Sequence, residues 1–221
     1  PRGPRRGIMI NLPELRLYFF ARGDAPAQSF PVSIGDEGKE TPQGTTTIVG
    51  KRILPAWVPT ASERAETPTL PAIVPPGPDN PMGMYALYLG WRAFAIHGTN
   101  KPYSIGRRGS HGCIRMYPED IRMLFKQVSV GTPVAVVNQP FKLGWHAGEM
   151  YLEVHPDVDD INAIEAGEPP RHPPRSPTEE YIRQAAGAQA GRIDWDLVRS
   201  VIHRRDGMPV RVTRLPDEGT S

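Results

Sequence analysis

Turn-forming residues divide this chain into short segments. The 221 residues include 26 prolines and 22 glycines, without the three-residue period of collagen. Proline interrupts helices and central strands, and glycine frees the backbone for turns, so this composition favours many short strands over long helices. Between the turns, apolar and polar residues alternate over residues 15–20 and again over residues 30–34. We therefore predict a mainly β fold, either a sandwich or a barrel, of largely antiparallel strands.

Two further segments complete the expected layout of the first 138 residues. Residues 55–81 are dense in proline and lack periodicity, so we expect a long ordered loop with at most one helical turn near residues 62–66. Pro118 suits the first position of a helix, and Glu119 favours its positive end. This helix would present one apolar face, formed by Ile121, Leu124, Phe125 and Val128.

The remainder of the chain changes in character. Residues 139–155 contain two apolar runs that predict a hairpin. Proline and charged residues dominate residues 156–176, which indicates a linker or an extended arm. Ser176-Pro177-Thr178-Glu179 has the pattern of a capping box with proline at the first helical position, and Asp194 can cap a second helix. We expect this tail to be too small for a secure core of its own.

Charge and composition exclude several classes of protein. Lysine and arginine total 26 against 24 acidic residues, and the net charge of +2 is too small for a nucleic-acid-binding protein. No run approaches the roughly 20 apolar residues of a membrane-spanning helix. A single cysteine, Cys113, excludes an internal disulfide and a structural zinc site made of several thiolates. The chain starts at Pro1 without an initiator methionine, so we expect a cut point there, with any secretion signal removed.

Cys113 lies in a glycine-rich stretch that runs from His97 to Met116. A free thiol with a pKa of about 8.5 is mostly protonated at neutral pH, so it needs a base to become a nucleophile. Two histidines qualify on sequence. His97 ends a predicted strand, from which its ring can reach across a cleft, and His111 stands two residues before the cysteine. An extended backbone would place His111 and Cys113 on one face, whereas a tight turn would separate them.

Backbone amides beside the cysteine suit the stabilisation of an oxyanion. Acyl transfer builds negative charge on oxygen, and aimed N–H donors contribute about 3–4 kcal/mol. Gly112 and Cys113 are the candidate donors, with the amide of His111 as a third. An alternative is a zinc site with His97, His111 and Cys113 as ligands. Their spacing matches no common zinc motif, and we predict no metal.

Two motifs surround the candidate base and nucleophile, I-H-G-T-N at residues 96–100 and S-H-G-C-I-R-M at residues 110–116. They resemble the L,D-transpeptidases with a YkuD-type catalytic domain, in their Gram-negative periplasmic subgroup. Further similarity lies in I-N-L-P-E-L-R-L-Y at 10–18, F-P-V-S-I-G at 30–35, T-P-x-G at 41–44 and G-P-D-N-P-M-G at 77–83. The positions that match the family pattern are His97, Ser110, His111, Gly112, Cys113 and Arg115.

The resemblance implies a mainly β fold, sandwich-like or barrel-like, with a short helix at the active loop and a small helical C-terminal extension. The expected domains are a basic tail at residues 1–7 and a catalytic domain at residues 8–138. A hairpin at residues 139–155 would complete or flank that domain. A proline-rich arm and the helical extension would occupy residues 156–221.

The resemblance also implies a periplasmic, secreted enzyme of cell wall biogenesis and cell shape that acts on peptidoglycan stem peptides without a cofactor. Cys113 would attack the diaminopimelate carbonyl of a tetrapeptide stem and release D-alanine, with His97 as proton acceptor and donor. The thioester would then pass to an amine. That amine would belong to a second stem, giving a 3–3 cross-link, to a lysine of an envelope lipoprotein, or to a free D-amino acid.

Several assignments stay open at this level. Arg115 can hold a carboxylate of the stem through a bidentate contact, or it can anchor the loop. Tyr103 can bind substrate or simply pack. Ser110 can shape the oxyanion loop together with His111 and Gly112, or it can only form a turn. Water as the acceptor would make the protein a carboxypeptidase or an amidase, and an inert thiol would leave a wall-binding module.

Overall fold

The computed structural model describes residues 2–21 and 25–214. Pro1 and residues 215–221, the ends of the predicted basic tail and of the predicted extension, lie outside the described residues, as do residues 22–24. The chain divides into two compact units, one at Gly3–Val137 and a second that begins at Asn138. The hairpin predicted at residues 139–155 therefore groups with the second unit.

The N-terminal unit is built from strands, as its sequence predicts. The strands are β1 (Gly7–Asn11), β2 (Arg16–Phe20), β3 (Gln28–Gly35), β4 (Gly44–Ile53), β5 (Tyr85–Leu89), β6 (Ala95–His97), β7 (Arg108–Ser110), β8 (Ile114–Met116) and β9 (Pro133–Val137). Two helices accompany them, α1 (Ala61–Glu66) and α2 (Pro118–Gln127). A 3-10 turn lies at Pro102–Ser104.

The strands of this unit close into a barrel. Among the described residues they form one nine-stranded sheet in the order β2-β1-β9-β4-β5-β6-β8-β3-β7, and β3 also pairs with β2. That extra pairing joins the first strand of the order to the eighth, and β7 extends β3 on the outside. The pairs β1–β9, β3–β7 and β6–β8 are parallel, and the other pairs are antiparallel. The prediction of a mainly β, barrel-like fold is confirmed.

Alternation along the strands creates the core. In β2, Leu17 and Phe19 are buried while their neighbours are part-exposed, which is the predicted period of two. Each fully buried aliphatic side chain contributes about 1.5–3 kcal/mol relative to an exposed one. Fully buried members of this core include Ile8, Ile10, Leu17, Val32, Ile48, Leu87, Ile96, Ile114, Ile121 and Leu124.

Helix α2 follows the predicted apolar face. It starts at Pro118 and ends at Gln127, and Ile121 and Leu124 are completely buried. The ring of Phe125 packs on that of Tyr85 in β5, with centroids 5.0 Å apart. The helix therefore covers β5, the strand that pairs with β6.

The C-terminal unit has its own sheet and helices. Its strands are β10 (Phe141–His146), β11 (Glu149–Val154) and β12 (Val210–Arg211), in the order β10-β11-β12. Its helices are α3 (Ile161–Glu165), α4 (Glu179–Ala186) and α5 (Trp195–Arg204). Asp194 caps α5, as predicted, because its side chain accepts from the amides of Asp196 and Leu197.

This unit also has a hydrophobic core, which the tail after residue 155 builds together with the hairpin rather than alone. The hairpin supplies one wall and the two long helices supply the other, so neither half needs a complete core alone. The buried residues are Met150, Leu152, Val154, Ile182, Ala186, Ile193, Val198, Val201 and Val212.

Two local predictions for this unit need correction. Helix α4 begins at Glu179 rather than at Pro177, because Thr178 is extended and its hydroxyl accepts from the amide of Tyr181. The arm after residue 155 is not simply extended, since it contains a 3-10 turn at Val158–Asp160 and α3. Asp160 is fully buried there and holds the arm through bonds from the two amides and the ring of the residues at 171–172.

Among the helices of the described residues, none combines the length and the apolar character that a bilayer crossing demands.

Candidate active site

The pairing of β6 with β8 brings the candidate nucleophile and base to one wall. These strands are parallel, with Ile96 opposite Ile114 and His97 opposite Arg115. Both isoleucines are completely buried, so the residues that alternate with them face the other side of the sheet. Cys113 precedes Arg115 by two residues and falls on the same side. Cys113, His97 and Arg115 accordingly line one cavity of about 370 Å³.

Several segments of the N-terminal unit line this cavity. The catalytic loop, defined here as residues 110–113, and β6 supply the wall with the thiol and the imidazole. The long loop that contains α1 contributes Trp57, Thr60 and Glu63. The turn between β5 and β6 contributes Trp91 and Phe94. The predicted helical turn in that long loop is confirmed as α1, none of whose residues is buried.

His97 is a buried, neutral imidazole. Its pKa is lowered to about 4, first by burial and second by the charge of Arg115, while the carbonyl groups of Gly98 and Met82 act in the opposite direction. Nδ1 lies 2.7 Å from the carbonyl oxygen of Gly98, to which a neutral ring donates its proton. This bond orients the ring, and a neutral ring that carries its proton on Nδ1 has Nε2 as its acceptor nitrogen, the form a general base requires.

Cys113 is a part-buried thiol on the cavity wall. Burial raises the pKa of this thiol and the charge of Glu63 raises it further, whereas the amide of Ala95 and the charge of Arg115 lower it. Its Sγ lies 3.6 Å from the carbonyl oxygen of Ala93. Ala93 has a left-handed backbone, with φ at 70°, and this conformation directs its carbonyl group toward the thiol.

Hydrogen bonds fix the backbone of the catalytic loop. The buried Ser110 hydroxyl donates to the carbonyl oxygen of Cys113 at 2.6 Å and accepts from the amide of Gly112 at 3.1 Å. The buried Thr41 hydroxyl accepts from the amide of Gly35 at 2.9 Å and donates to the carbonyl oxygen of Gly112 at 2.8 Å. The hydroxyl of Ser110 therefore fixes the loop from within, and the hydroxyl of Thr41 connects the loop to Gly35 at the end of β3.

Gly112 occupies a place where no side chain fits. Its φ is +98°, in the left-handed region, and an added Cβ would lie 2.6 Å from Cε1 of Phe94. The same Cβ would lie 3.3 Å from the carbonyl oxygen of Glu40. The glycine thus lets Phe94 and the residues before Thr41 close around the loop.

His111 joins the catalytic loop to α1. Its Nε2 lies 2.9 Å from Nζ of Lys39 and 3.0 Å from a carboxylate oxygen of Glu66, and its Nδ1 lies 3.6 Å from Oε1 of Glu63. Lys39 and Glu66 also form an ion pair at 2.7 Å. Hydrogen bonds from Lys39 and His111 lower the pKa of Glu66 to about 2. The ring of His111 therefore contacts Lys39 and α1, whereas the ring of His97 contacts the carbonyl group of Gly98.

Arg115 and Tyr103, the two substrate-binding candidates, have different environments. Arg115 lines the cavity, and within residues 2–21 and 25–214 its guanidinium has no ion-pair partner. Burial lowers the pKa of Arg115, while the charges of Cys113 and Glu63 raise it. Tyr103 lies in the 3-10 turn, is 75% exposed and is not among the residues that line the cavity.

The zinc alternative has no geometric support. In the described part of the chain, the ligand atoms of His97, His111 and Cys113 do not all come within 4.8 Å of one another. His111 is instead engaged with α1 and Lys39.

Sequence reasoning missed several residues of this site. Glu63 was readable, because Thr60 and Glu63 have the spacing of a capping box, but nothing in the sequence places that helix over the thiol. Thr41 belongs to the T-P-x-G motif, whose role is apparent only from its bond to Gly112. Ala93 acts through its carbonyl group and carries no side-chain signal at all.

Comparisons with known proteins show the family to which this chain belongs. The family model described as the L,D-transpeptidase catalytic domain, YkuD, matches residues 5–136. A probable L,D-transpeptidase ErfK/SrfK of Salmonella typhimurium is 41% identical over 216 residues, which cover 95% of this chain and 68% of that protein. A probable L,D-transpeptidase YbiS of Escherichia coli K12 is 41% identical over 214 residues, which cover 93% of this chain and 67% of that protein.

A solved structure, that of an L,D-transpeptidase from Mycobacterium smegmatis, aligns with a TM-score of 0.45 and 23% identity over 59% of this chain and 57% of that chain. The chain carries a cell-wall transpeptidase catalytic domain in its N-terminal unit. It belongs to the L,D-transpeptidase family of the YkuD type.

Proposed function

We propose that this enzyme transfers acyl groups of peptidoglycan stem peptides in the periplasm, with Cys113 as the nucleophile and His97 as the base. The observation that carries the proposal is their common position on the cavity wall, next to the guanidinium of Arg115. The wall also combines a neutral imidazole, a thiol and a braced loop, which are the groups that acyl transfer needs.

The first half-reaction forms a thioester. Nε2 of His97 takes the proton from Cys113 as Sγ attacks the diaminopimelate carbonyl of a tetrapeptide stem. The carbonyl electrons move to oxygen, and the amide of Cys113 donates to the oxyanion. The amide of Gly112, which donates to Ser110 at rest, is the second donor. Collapse breaks the bond to D-alanine, which leaves as the amine with the proton from His97.

The second half-reaction transfers the acyl group to an amine. His97 takes a proton from the attacking amine, the thioester breaks, and the sulfur recovers a proton from the imidazolium. The acceptor is the side-chain amine of a second stem, a lipoprotein lysine or a free D-amino acid. Arg115 binds a carboxylate of the stem. The aromatic residues of the cavity limit the access of water, which would otherwise hydrolyse the thioester and make the protein a carboxypeptidase.

Intact-protein mass spectrometry tests this proposal. Wild-type protein incubated with a tetrapeptide stem should gain the mass of the stem minus D-alanine, and His97→Gln should form this adduct much more slowly. An adduct of equal mass and rate on Cys113→Ala would overturn the assignment of the nucleophile. Wild-type protein that binds stems without any adduct or D-alanine release would instead be an inert wall-binding module. Product masses with and without an amine acceptor then separate transfer from hydrolysis.

A further inference from the structure

Glu63 brings a carboxylate to the thiol side of the cavity. Its side chain is only 13% exposed and lines the cavity together with Cys113 and Arg115. The other acidic residue of α1, Glu66, is 44% exposed, pairs with Lys39 and does not line the cavity. Helix α1 therefore presents the carboxylate of Glu63 to the cavity and that of Glu66 to the protein surface outside it.

The carboxylate of Glu63 is fixed in place by the capping box. Its Oε2 accepts from the amide of Thr60 at 2.7 Å and from the hydroxyl of Thr60 at 2.9 Å. The hydroxyl of Thr60 in turn accepts from the amide of Glu63 at 3.2 Å. The other oxygen of this carboxylate, Oε1, lies 3.6 Å from Nδ1 of His111.

The charge of Glu63 opposes the proposed nucleophile. It is one of the causes that raise the pKa of the Cys113 thiol, and it also acts on Arg115. Capping alone does not require that charge, because glutamine at the same position can close a capping box. The charge of Glu63 acts on Arg115 in the same cavity, but no ion pair of Glu63 with Arg115 neutralises it in the described residues, so the carboxylate can pair with a cationic group that the substrate brings.

We infer that Glu63 is a specificity-determining residue that binds an ammonium group of the acyl donor beside the reacting carbonyl group. The inference rests on the proposed function, because the distal end of diaminopimelate carries both an ammonium group and a carboxyl group. In this arrangement the ammonium group pairs with Glu63 while Arg115 takes a carboxylate of the stem. A bound ammonium group also cancels the charge that disfavours the thiolate, so the correct donor promotes its own acylation.

Paired donors and paired variants test this inference. Acylation is measured in single turnover, without an acceptor, for a tetrapeptide stem with diaminopimelate and for the same stem with 2-aminopimelate, which lacks the distal amine. Wild-type protein should prefer the amine-bearing stem, and Glu63→Gln should reduce that preference about fivefold, the effect of one part-screened ion pair. Glu66→Gln is the matched control, with the same loss of charge on the same helix, and should change the preference by less than about twofold.

A substrate-independent measurement separates this inference from the proposed function. Cys113 is modified with methanethiosulfonates that carry either a trimethylammonium or a sulfonate end. Glu63→Gln should lower the ratio of the cationic to the anionic rate about fivefold, whereas Glu66→Gln should leave it nearly constant. An unchanged ratio in Glu63→Gln, or an equal change in both variants, would overturn the inference. Failure of wild-type acylation by both stems, with the ratio shifted as expected, would reject the proposed donor and leave the cation preference standing.

Discussion

His97 and Arg115 are direct partners in the parallel pairing of β6 with β8. The guanidinium therefore lies close enough for its charge to act on the imidazole. It lowers the pKa of His97 in addition to burial, which is the larger cause. Because burial raises the pKa of the Cys113 thiol, both groups are uncharged at neutral pH. These directions favour a neutral thiol and a neutral imidazole over an ion pair before substrate binds, consistent with proton transfer during attack as proposed above.

The acid limb of activity should report this low pKa. Because His97 must be neutral to accept the proton and its pKa is about 4, kcat/KM for D-alanine release should fall only as the pH approaches 4. The Arg115→Gln variant removes one of the two causes that lower the pKa of His97. The acid limb of this variant should therefore shift to higher pH, but it should stay below pH 6.5 because His97 remains buried. A pH profile from 3.5 to 8, recorded for the wild type and for Arg115→Gln, measures the acid limb of each protein. A wild-type limb near 6.5 would show that the imidazole is not desolvated.

Ser110 should matter for the loop more than its size suggests. Ser110→Ala leaves the amide of Gly112 and the carbonyl group of Cys113 without their buried partner, at a cost of about 1–3 kcal/mol in unfolding free energy. The rate of acylation should fall as well, because the nucleophile loses its brace. Ser104→Ala is the control, since the hydroxyl of Ser104 makes a comparable bond to the carbonyl oxygen of Lys101 at an exposed position. Equal behaviour of the two variants in urea unfolding and in acylation would contradict this role.

Alanine substitutions at Gly112 and at Gly106 distinguish the cost of backbone strain from the cost of a steric clash. Both have positive φ, at +98° and +87°, but an added Cβ at Gly106 would meet nothing within 4 Å. Gly106→Ala should cost only about 1–2 kcal/mol of backbone strain. Gly112→Ala should also displace Phe94 or the loop and lower the acylation rate about a hundredfold, as expected for a misplaced nucleophile. Phe94→Leu should restore part of that rate in the double variant, and no rescue would mean that the contact with Phe94 is not the cause.

Much of the candidate site was predictable from local patterns, but its architecture was not. The end of a strand at His97 and the lone thiol at Cys113 follow from alternation and composition. The strands β7 and β8 that flank the thiol have three residues each, too few to show a period, and both lie within the glycine-rich stretch from His97 to Met116. His111 also qualified as a base on its residue type, and in the structure its contacts with the two glutamates of α1 contrast with the buried ring of His97.

The second unit shows a different limit of sequence patterns. Its helices and hairpin are visible one at a time, and Asp194 caps α5 as its sequence indicates. The hairpin packs against the helices through long-range contacts, which no local period encodes. These contacts join Met150 and Leu152 with Ile182 and Val198. The cap of α4 was displaced by two residues because Ser176 and Thr178 both have suitable side chains, and the choice between them depends on where the helix packs.

Helix α1 should depend on its cap, since it buries none of its six residues and a helix this short has little stability of its own. Thr60→Ala removes the hydroxyl that both accepts from and donates to Glu63, at a local cost of about 1 kcal/mol. Hydrogen exchange of the α1 amides should accelerate about fivefold, while the melting temperature of the protein should stay nearly constant because no core is lost. The cation preference of thiol modification should fall in part, since Glu63 then keeps only the bond from the backbone amide of residue 60. Thr178→Ala provides the contrast, because Thr178 caps α4, whose Ile182 and Ala186 are buried, so that variant should lower the unfolding free energy of its own unit. A Thr60→Ala protein with unchanged exchange in α1, or with a global loss of stability as large as that of Thr178→Ala, would contradict a helix that is held by its cap and its surface ion pairs.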